Sequence, residues 1–164
     1  MSIRFLVLFL FFLKPAMSEE FTIAWRDNYG LTWADFKGKI EPDIDAVAVT
    51  TSGIIFSFSV NQSNAQFVGF SAEAEAYLYP EKSWYFKSKS EDHILAHEQL
   101  HFDITELHVS QLRYNASKIK VSKNIKQNLR DAHEETNRSL AAIQNDYDTQ
   151  TDNSIHKKHQ VIWS

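Results

Sequence analysis

The chain has 164 residues, 43% of them apolar and 23% charged, with a formal net charge of −4. Nothing in it resembles a basic stripe, which argues against a nucleic-acid partner. It has no cysteine, so disulfides and thiolate ligands are excluded and any metal site must be built from imidazoles and carboxylates.

Residues 1–18 have the layout of a secretory signal peptide. Met1–Arg4 is a short basic region and Phe5–Leu13 an apolar run. Pro15 then breaks the helix, and Ala16 and Ser18 offer small residues for cleavage after Ser18. The apolar run is too short to span a bilayer, which takes about 20 residues. The expected product is a single secreted or periplasmic domain, residues 19–164, free of the membrane after cleavage. Loss of Arg4 and Lys14 takes its charge from −4 to −6.

The mature chain divides into a β-leaning first half and a helical second half. Glu20–Trp25 alternates Phe21, Ile23 and Trp25 and reads as a strand. Asn28–Gly30 is a turn, and Thr32–Phe36 a capped helical turn with Asp35 at its third position. Ala46–Thr51 and Gly53–Val60 are β-rich, with Phe56, Phe58 and Val60 on one face. Asn61–Asn64 is a polar turn, Phe67–Phe70 and Ala72–Tyr79 are further strands, and Pro80 ends the last. Trp84–Phe86 is a short aromatic strand; together with Trp25 and Trp33 it is assigned to the core, because aromatics dominate burial.

Ser90 caps a long helix over about residues 91–115, with Glu91 and Asp92 at its positive end. Its apolar face comprises Ile94, Leu100, Ile104, Leu107 and Leu112, and His97 and His101 fall within that arc. A second helix runs from Ser117 or Val121 to Asp146, with Ile125, Leu129, Ala132, Thr136, Leu140, Ile143 and Tyr147 stepping by four and three. The remainder, to Ser164, is polar and turn-rich.

The chemistry sits on the first long helix. His97-Glu98-Gln99-Leu100-His101 is an H-E-x-x-H, and four of the seven histidines (His93, His97, His101 and His108) fall within the span 93–108. Histidines four apart on a helix share a face and can reach one Zn²⁺, and the intervening Glu98 can serve as general base toward water. Two imidazoles buried side by side without a metal would be hard to satisfy.

Catalytic zinc usually takes three protein ligands. Glu106 points away from His97 on the helical wheel. His93 and His108 lie too far along the axis and suit the rim of the site. The metzincin pattern is excluded, because Ile104 and Leu107 stand where it needs Gly and His. The third ligand therefore lies among Glu134 and Glu135 of the second helix and Asp148, Asp152, Asn153 and His156 of the C-terminal segment, and pattern alone does not choose among them.

His97-Glu98-Gln99-Leu100-His101-Phe102-Asp103-Ile104-x-Glu106 resembles the HEQxHFDIxE signature of a bacterial family of predicted secreted zinc-dependent proteases, catalogued as domain of unknown function 922. Leu31–Gly38, Thr51-x-Gly53-Ile54, Ser83-Trp84 and the closing Tyr147-Asp148-x-x-Thr151 with Gln160 and Trp163 resemble further blocks of that family. Gln150 and Asn153 stand where its closing block has Glu and His.

The resemblance implies a zincin-like protease. The expected fold is α+β, a small antiparallel sheet (residues 21–86) beside two long antiparallel helices (residues 91–146). The expected activity is zinc-dependent hydrolysis of a peptide or protein substrate. His97, His101 and Asp148 hold Zn²⁺, Glu98 is the base and Tyr147 steadies the oxyanion. An extended substrate would pair with an edge strand, Ala72–Tyr79 or Trp84–Phe86. The alternative, motivated by Gln150 and Asn153, is a catalytically degenerate metal- or peptide-binding envelope protein of the same fold.

Overall fold

The computed structural model describes residues 20–41 and 46–164. The signal-peptide reading of residues 1–18 lies outside them. The described elements are α+β. Five strands, β1 (Ile23–Ala24), β2 (Ala48–Val49), β3 (Ser52–Ser63), β4 (Gln66–Leu78) and β5 (Trp84–Tyr85), precede three helices, α1 (Asp92–Lys118), α2 (Ile125–Thr151) and α3 (Lys157–Trp163). The strands form an antiparallel sheet in the order β1-β4-β3 and a separate antiparallel pair, β2-β5.

β3 and β4 make one long hairpin. Asn64 and Ala65 both have positive φ (47° and 61°), as a two-residue turn matched to the strand twist requires. The polar turn is therefore shorter than expected from Asn61–Asn64, because Asn61, Gln62 and Ser63 continue the ladder opposite Gly69, Phe67 and Gln66. Val68 is left out of the register as a bulge and points to solvent, 60% exposed. The break expected between Phe70 and Ala72 is absent: Ser71 pairs with Ser59, and their hydroxyls bond at 2.8 Å. The first strand shrinks from Glu20–Trp25 to Ile23–Ala24, the two residues that find ladder partners on β4.

The turn at Thr32 forms as expected, as a single 3-10 turn over Trp33–Asp35. The Asp35 carboxylate accepts from the Thr32 amide (2.8 Å) and hydroxyl (2.9 Å) and from Tyr29 Oη (2.8 Å). Gly38 packs directly on the loop after β4, where a Cβ would come within 2.9 Å of the Glu81 and Ser83 carbonyl oxygens. Buried Ser83 locks the same corner, donating to the Tyr79 carbonyl (3.0 Å) and accepting from the Thr51 amide (2.9 Å). This fixes the β2–β3 junction that becomes one wall of the site.

α1 is held from two sides. Phe102, Val109 and Leu112 pack on Ala74, Ala76 and Leu78 of β4, and Ile104 packs with Leu140 and Tyr147 of α2. Each apolar side chain so buried contributes roughly 1.5–3 kcal/mol. A helix buried on two flanks has a narrow solvent stripe, and Leu107 falls on it at 65% exposure, contrary to its assignment to the core face. The N-cap is Glu91 rather than Ser90; the Ser90 hydroxyl donates to the Lys87 carbonyl instead. The apolar positions of α2 face inward as read, Ile125, Leu129, Thr136, Leu140 and Tyr147 being buried. The helix begins later and ends later than expected. The C-terminal segment also contains α3, a third helix that its polar sequence did not suggest. α3 docks through Trp163, which packs on Tyr147 (5.2 Å between rings), and through Gln160, which donates to the His93 carbonyl (3.0 Å).

Candidate metal centre

The first half of α1 and the last turns of α2 converge at one cavity of about 190 Å³. The i, i+4 spacing puts His97 and His101 on one flank of α1, and Asp148 reaches across from α2. The three donor atoms lie close together. His97 Nε2 is 3.2 Å from His101 Nε2, and Asp148 Oδ1 is 3.2 Å from the first and 2.8 Å from the second. Three corners of a tetrahedron with ligands at the usual zinc distances would be about 3.3 Å apart, so the donor set fits a small divalent cation. Among the described residues this is the cluster of His, Asp and Glu that could hold a metal ion.

Two buried atoms point to the same conclusion. His97 Nδ1 and Glu98 Oε2 have no hydrogen-bond partner, in a fold where nearly all buried polar atoms are satisfied. Burial pushes the Glu98 carboxyl above the ordinary carboxylate range, and the neighbouring His101 and His97 only partly offset it. For Asp148 the balance reverses. Burial alone would raise it, but hydrogen bonds to His101 and His97 and their charges hold it well below the usual range. Burial lowers His101, and the bond to Asp148, with the charges of Glu98 and Asp148, more than restores it, so its net shift is upward.

The cavity is walled on the far side by Ala46–Thr50. The edge strand beside α1 at this wall is β2. Ala72–Tyr79 belongs to β4, which runs between β1 and β3, and Trp84–Tyr85 lies behind β2 as its partner. Of the two expected edge strands, β4 is therefore central, and β5, though an edge, does not line the cavity. The Phe86 amide donates to the Val47 carbonyl (2.9 Å), so by the alternation of an antiparallel ladder the amide and carbonyl of Ala48 point away from β5.

The remaining sequence candidates separate clearly. Asn153 lines the cavity. It lies in a run of three left-handed residues, Asp152, Asn153 and Ser154 (φ 50°, 47° and 80°). Such conformations cost non-glycine residues free energy and concentrate at functional sites. His156 is exposed and faces Asp152 (3.8 Å). Glu134 and Glu135 are exposed on α2, and Glu106 pairs with Arg113 (2.6 Å). Gln150 accepts from Trp163 Nε1 (3.1 Å) rather than entering the site. His93 sits beside Glu91 (3.3 Å), and His108 bonds its own helix at the Ile104 carbonyl (2.8 Å).

Tyr147 is fully buried and stacks on the His97 ring (4.4 Å, 21° between planes). Its hydroxyl is directed at the His97 carbonyl (3.5 Å), and it is not among the cavity-lining residues. Its ring backs the His97 ring, and its hydroxyl, expected from sequence to steady an oxyanion, faces the His97 carbonyl.

The sequence reading missed Gln144, which bonds His101 and lines the cavity. A signal for it existed, because Gln144 lies one turn before Asp148 on the same stripe of α2. It read Ala46–Thr51, which contains β2, as β-rich but did not place it against the cavity.

Residues 80–157 match the model of a family described as a bacterial protein of unknown function (DUF922). No curated protein and no solved structure matches the chain. The blocks of resemblance at Leu31–Gly38, Thr51–Ile54 and Gln160–Trp163 fall outside the matched span. That span, a little under half of the chain, runs from the turn before β5 through α1 and α2 and contains His97, Glu98, His101, Gln144 and Asp148.

Proposed function

We propose that the protein is a zinc-dependent hydrolase, a peptidase exported from the bacterial cell, in which His97, His101 and Asp148 bind the metal and Glu98 is the general base. The observation that carries this reading is the donor triangle beside a buried glutamate that has a free oxygen. Zinc in that triangle would supply Lewis-acid polarisation of a carbonyl and acidify water. Glu98, whose Oε2 makes no hydrogen bond within the protein, takes the proton from the attacking water and returns it to the departing amine. Its upward shift brings it toward the working pH, where a carboxylate is most effective as base and then acid. The Ala48 amide and carbonyl offer an extended peptide the two backbone bonds of strand addition. Ile94 and the β2 wall then limit access of solvent to the reacting bond.

Asn153 in the cavity favours a second reading, a protein of the same fold that binds metal or an extended peptide without turnover. Elemental analysis of the purified protein, paired with cleavage of an unfolded protein substrate, separates the two. The expected result is one zinc per chain, lost in His97→Ala/His101→Ala, with turnover abolished in Glu98→Gln. Zinc without turnover selects the second reading. No zinc, with stability indifferent to chelator, would sink both metal readings.

A further inference from the structure

The two histidines of the cluster are held in different ways. Gln144 Oε1 lies in hydrogen-bond contact with His101 Nδ1, whereas His97 Nδ1 has no partner. The orientation of the Gln144 amide follows from its surroundings. Its other end lies 3.2 Å from the His101 carbonyl and 3.1 Å from Thr105 Oγ1. The carbonyl can only accept, so the Gln144 atom facing it must be the amide nitrogen. Thr105 spends its own proton on that same carbonyl (3.0 Å). Its oxygen therefore accepts from Gln144 Nε2 and from Ser52 Oγ, 2.7 Å away. With the nitrogen so committed, the Gln144 atom against the imidazole is the oxygen, which has no proton to give. The hydrogen of that contact belongs to His101 Nδ1.

We propose that Gln144 is a positioning residue that keeps the His101 proton on Nδ1 and so presents Nε2, with its lone pair free, to the metal. The inference rests on the metal-site reading above and extends it to the group behind the ligand. The Ser52–Thr105–Gln144 chain links β3, α1 and α2, so the ring is fixed from three elements. Metal-binding histidines generally need their second nitrogen held by an acceptor, and loss of that acceptor typically weakens metal binding 10–100-fold.

Two variants of the full protein test this, with two readouts. Gln144→Leu keeps the approximate volume and removes the acceptor. Gln144→Glu keeps an acceptor facing Nδ1, and its second oxygen, when protonated, can donate to the His101 carbonyl as the amide nitrogen does. Zinc affinity is measured by competition with a chromogenic chelator. Without metal, the Asp148 carboxylate 2.8 Å from Nε2 also holds a proton on the ring, so the second readout is the solvent exchange of the His101 Nδ1 proton, followed by imidazole nitrogen-resolved spectra of zinc-loaded protein. The expected result is about 10–100-fold weaker zinc binding in Gln144→Leu and tighter binding in Gln144→Glu than in Gln144→Leu. The Nδ1 proton should exchange slowly in the parent and in Gln144→Glu, and fast in Gln144→Leu. Undiminished affinity and unchanged exchange in Gln144→Leu overturn the proposal, as does Gln144→Glu binding zinc as poorly as Gln144→Leu. If the parent protein itself binds no zinc, the metal-site reading falls. Exchange of the Nδ1 proton in metal-free protein, with the ring protonated, then decides the role of Gln144 alone, slow exchange that is lost in Gln144→Leu supporting it and unchanged exchange overturning it.

Discussion

The two polar faces of α1 differ in how fully they are satisfied. On the rear face, Gln99 Oε1 accepts from the Leu31 amide (2.7 Å) and Gln99 Nε2 donates to Asp103 Oδ1 (2.9 Å). Trp25 Nε1 donates to the same carboxylate oxygen (2.7 Å). On the cavity face, His97 Nδ1 and Glu98 Oε2 have no partner although both are buried. A buried, unpaired polar group costs about 1–3 kcal/mol. A helix that completes one network and leaves the adjacent one open is using the open face for something other than folding. The H-E-Q-x-H-F-D segment is thus two interleaved sets. Gln99 and Asp103 tie the helix to the segment that carries Trp25 and Leu31, while His97, Glu98 and His101 face the cavity.

Substitutions on the two faces should have opposite effects. Glu98→Gln is expected to reduce turnover by about 10²–10⁴-fold, the usual contribution of a general acid–base. Zinc should stay bound, and the thermal midpoint should hold or rise, because a neutral amide avoids the cost of burying a charge. Asp103→Ala strips the acceptor from both Trp25 and Gln99. Bonds to a charged group are worth about 1.5–3 kcal/mol, so denaturant melts should show a loss of about 2–3 kcal/mol, with zinc content unchanged. Zinc lost from Asp103→Ala without a change in the melt would reverse the assignment of the two faces.

The same contrast explains what could be read from the sequence. His97, Glu98 and His101 declare themselves because helical spacing converts directly into a shared face. The inward stripe of α2 is legible for the same reason, and Asp148 could be shortlisted as a carboxylate near its end. The Thr32–Asp35 turn was also readable, since its bonds lie within a few residues. What escaped depends on pairing across the chain. β2 has two residues, and its position beside the cavity is set by Trp84 and Tyr85 of β5 and by the Ser83 hydroxyl on Thr51. Gln144 looks like any surface glutamine until Thr105 and the His101 carbonyl are placed beside it. Leu107 was misassigned because a single-face reading cannot represent a helix covered on two flanks. α3 leaves its Val161 and Ile162 exposed and docks through Gln160 and Trp163 rather than through an apolar stripe.

Tyr147 offers a finer test of where the cavity face ends. Its ring supports His97, whereas its hydroxyl makes only a long contact with a backbone carbonyl. Tyr147→Phe should therefore change turnover by only a few-fold and stability by about 1 kcal/mol or less. Tyr147→Ala, which empties a fully buried position, should cost about 3–5 kcal/mol. A loss of about 10²–10³-fold in turnover for Tyr147→Phe, the size seen when an oxyanion donor is removed, would return the hydroxyl to the chemistry.

The smallest expected effect is a difference in pH dependence between metal-free and zinc-loaded protein. In the metal-free state, His101 and Asp148 stabilise each other. His101 is shifted upward, so its contribution is complete below its unfolded value of about 6.5 and is lost as pH rises through the folded value. Asp148 is shifted downward, so its contribution is complete above about 3.9 and is lost as pH falls through the folded value. Metal-free stability from this pair should therefore be greatest between about pH 4 and 6.5 and decline above it. The slope should be shallow, because the Asp148 side chain is 40% exposed and its charge is screened. Zinc needs both imidazoles deprotonated, so its stabilising effect should grow over the same rise in pH. Thermal midpoints measured with zinc and with chelator should separate progressively from pH 6 to 8, on the order of the unperturbed imidazole range. Midpoints that move in parallel across that range would mean that protons and metal do not compete for His101, and the donor triangle would have to be abandoned as the metal site.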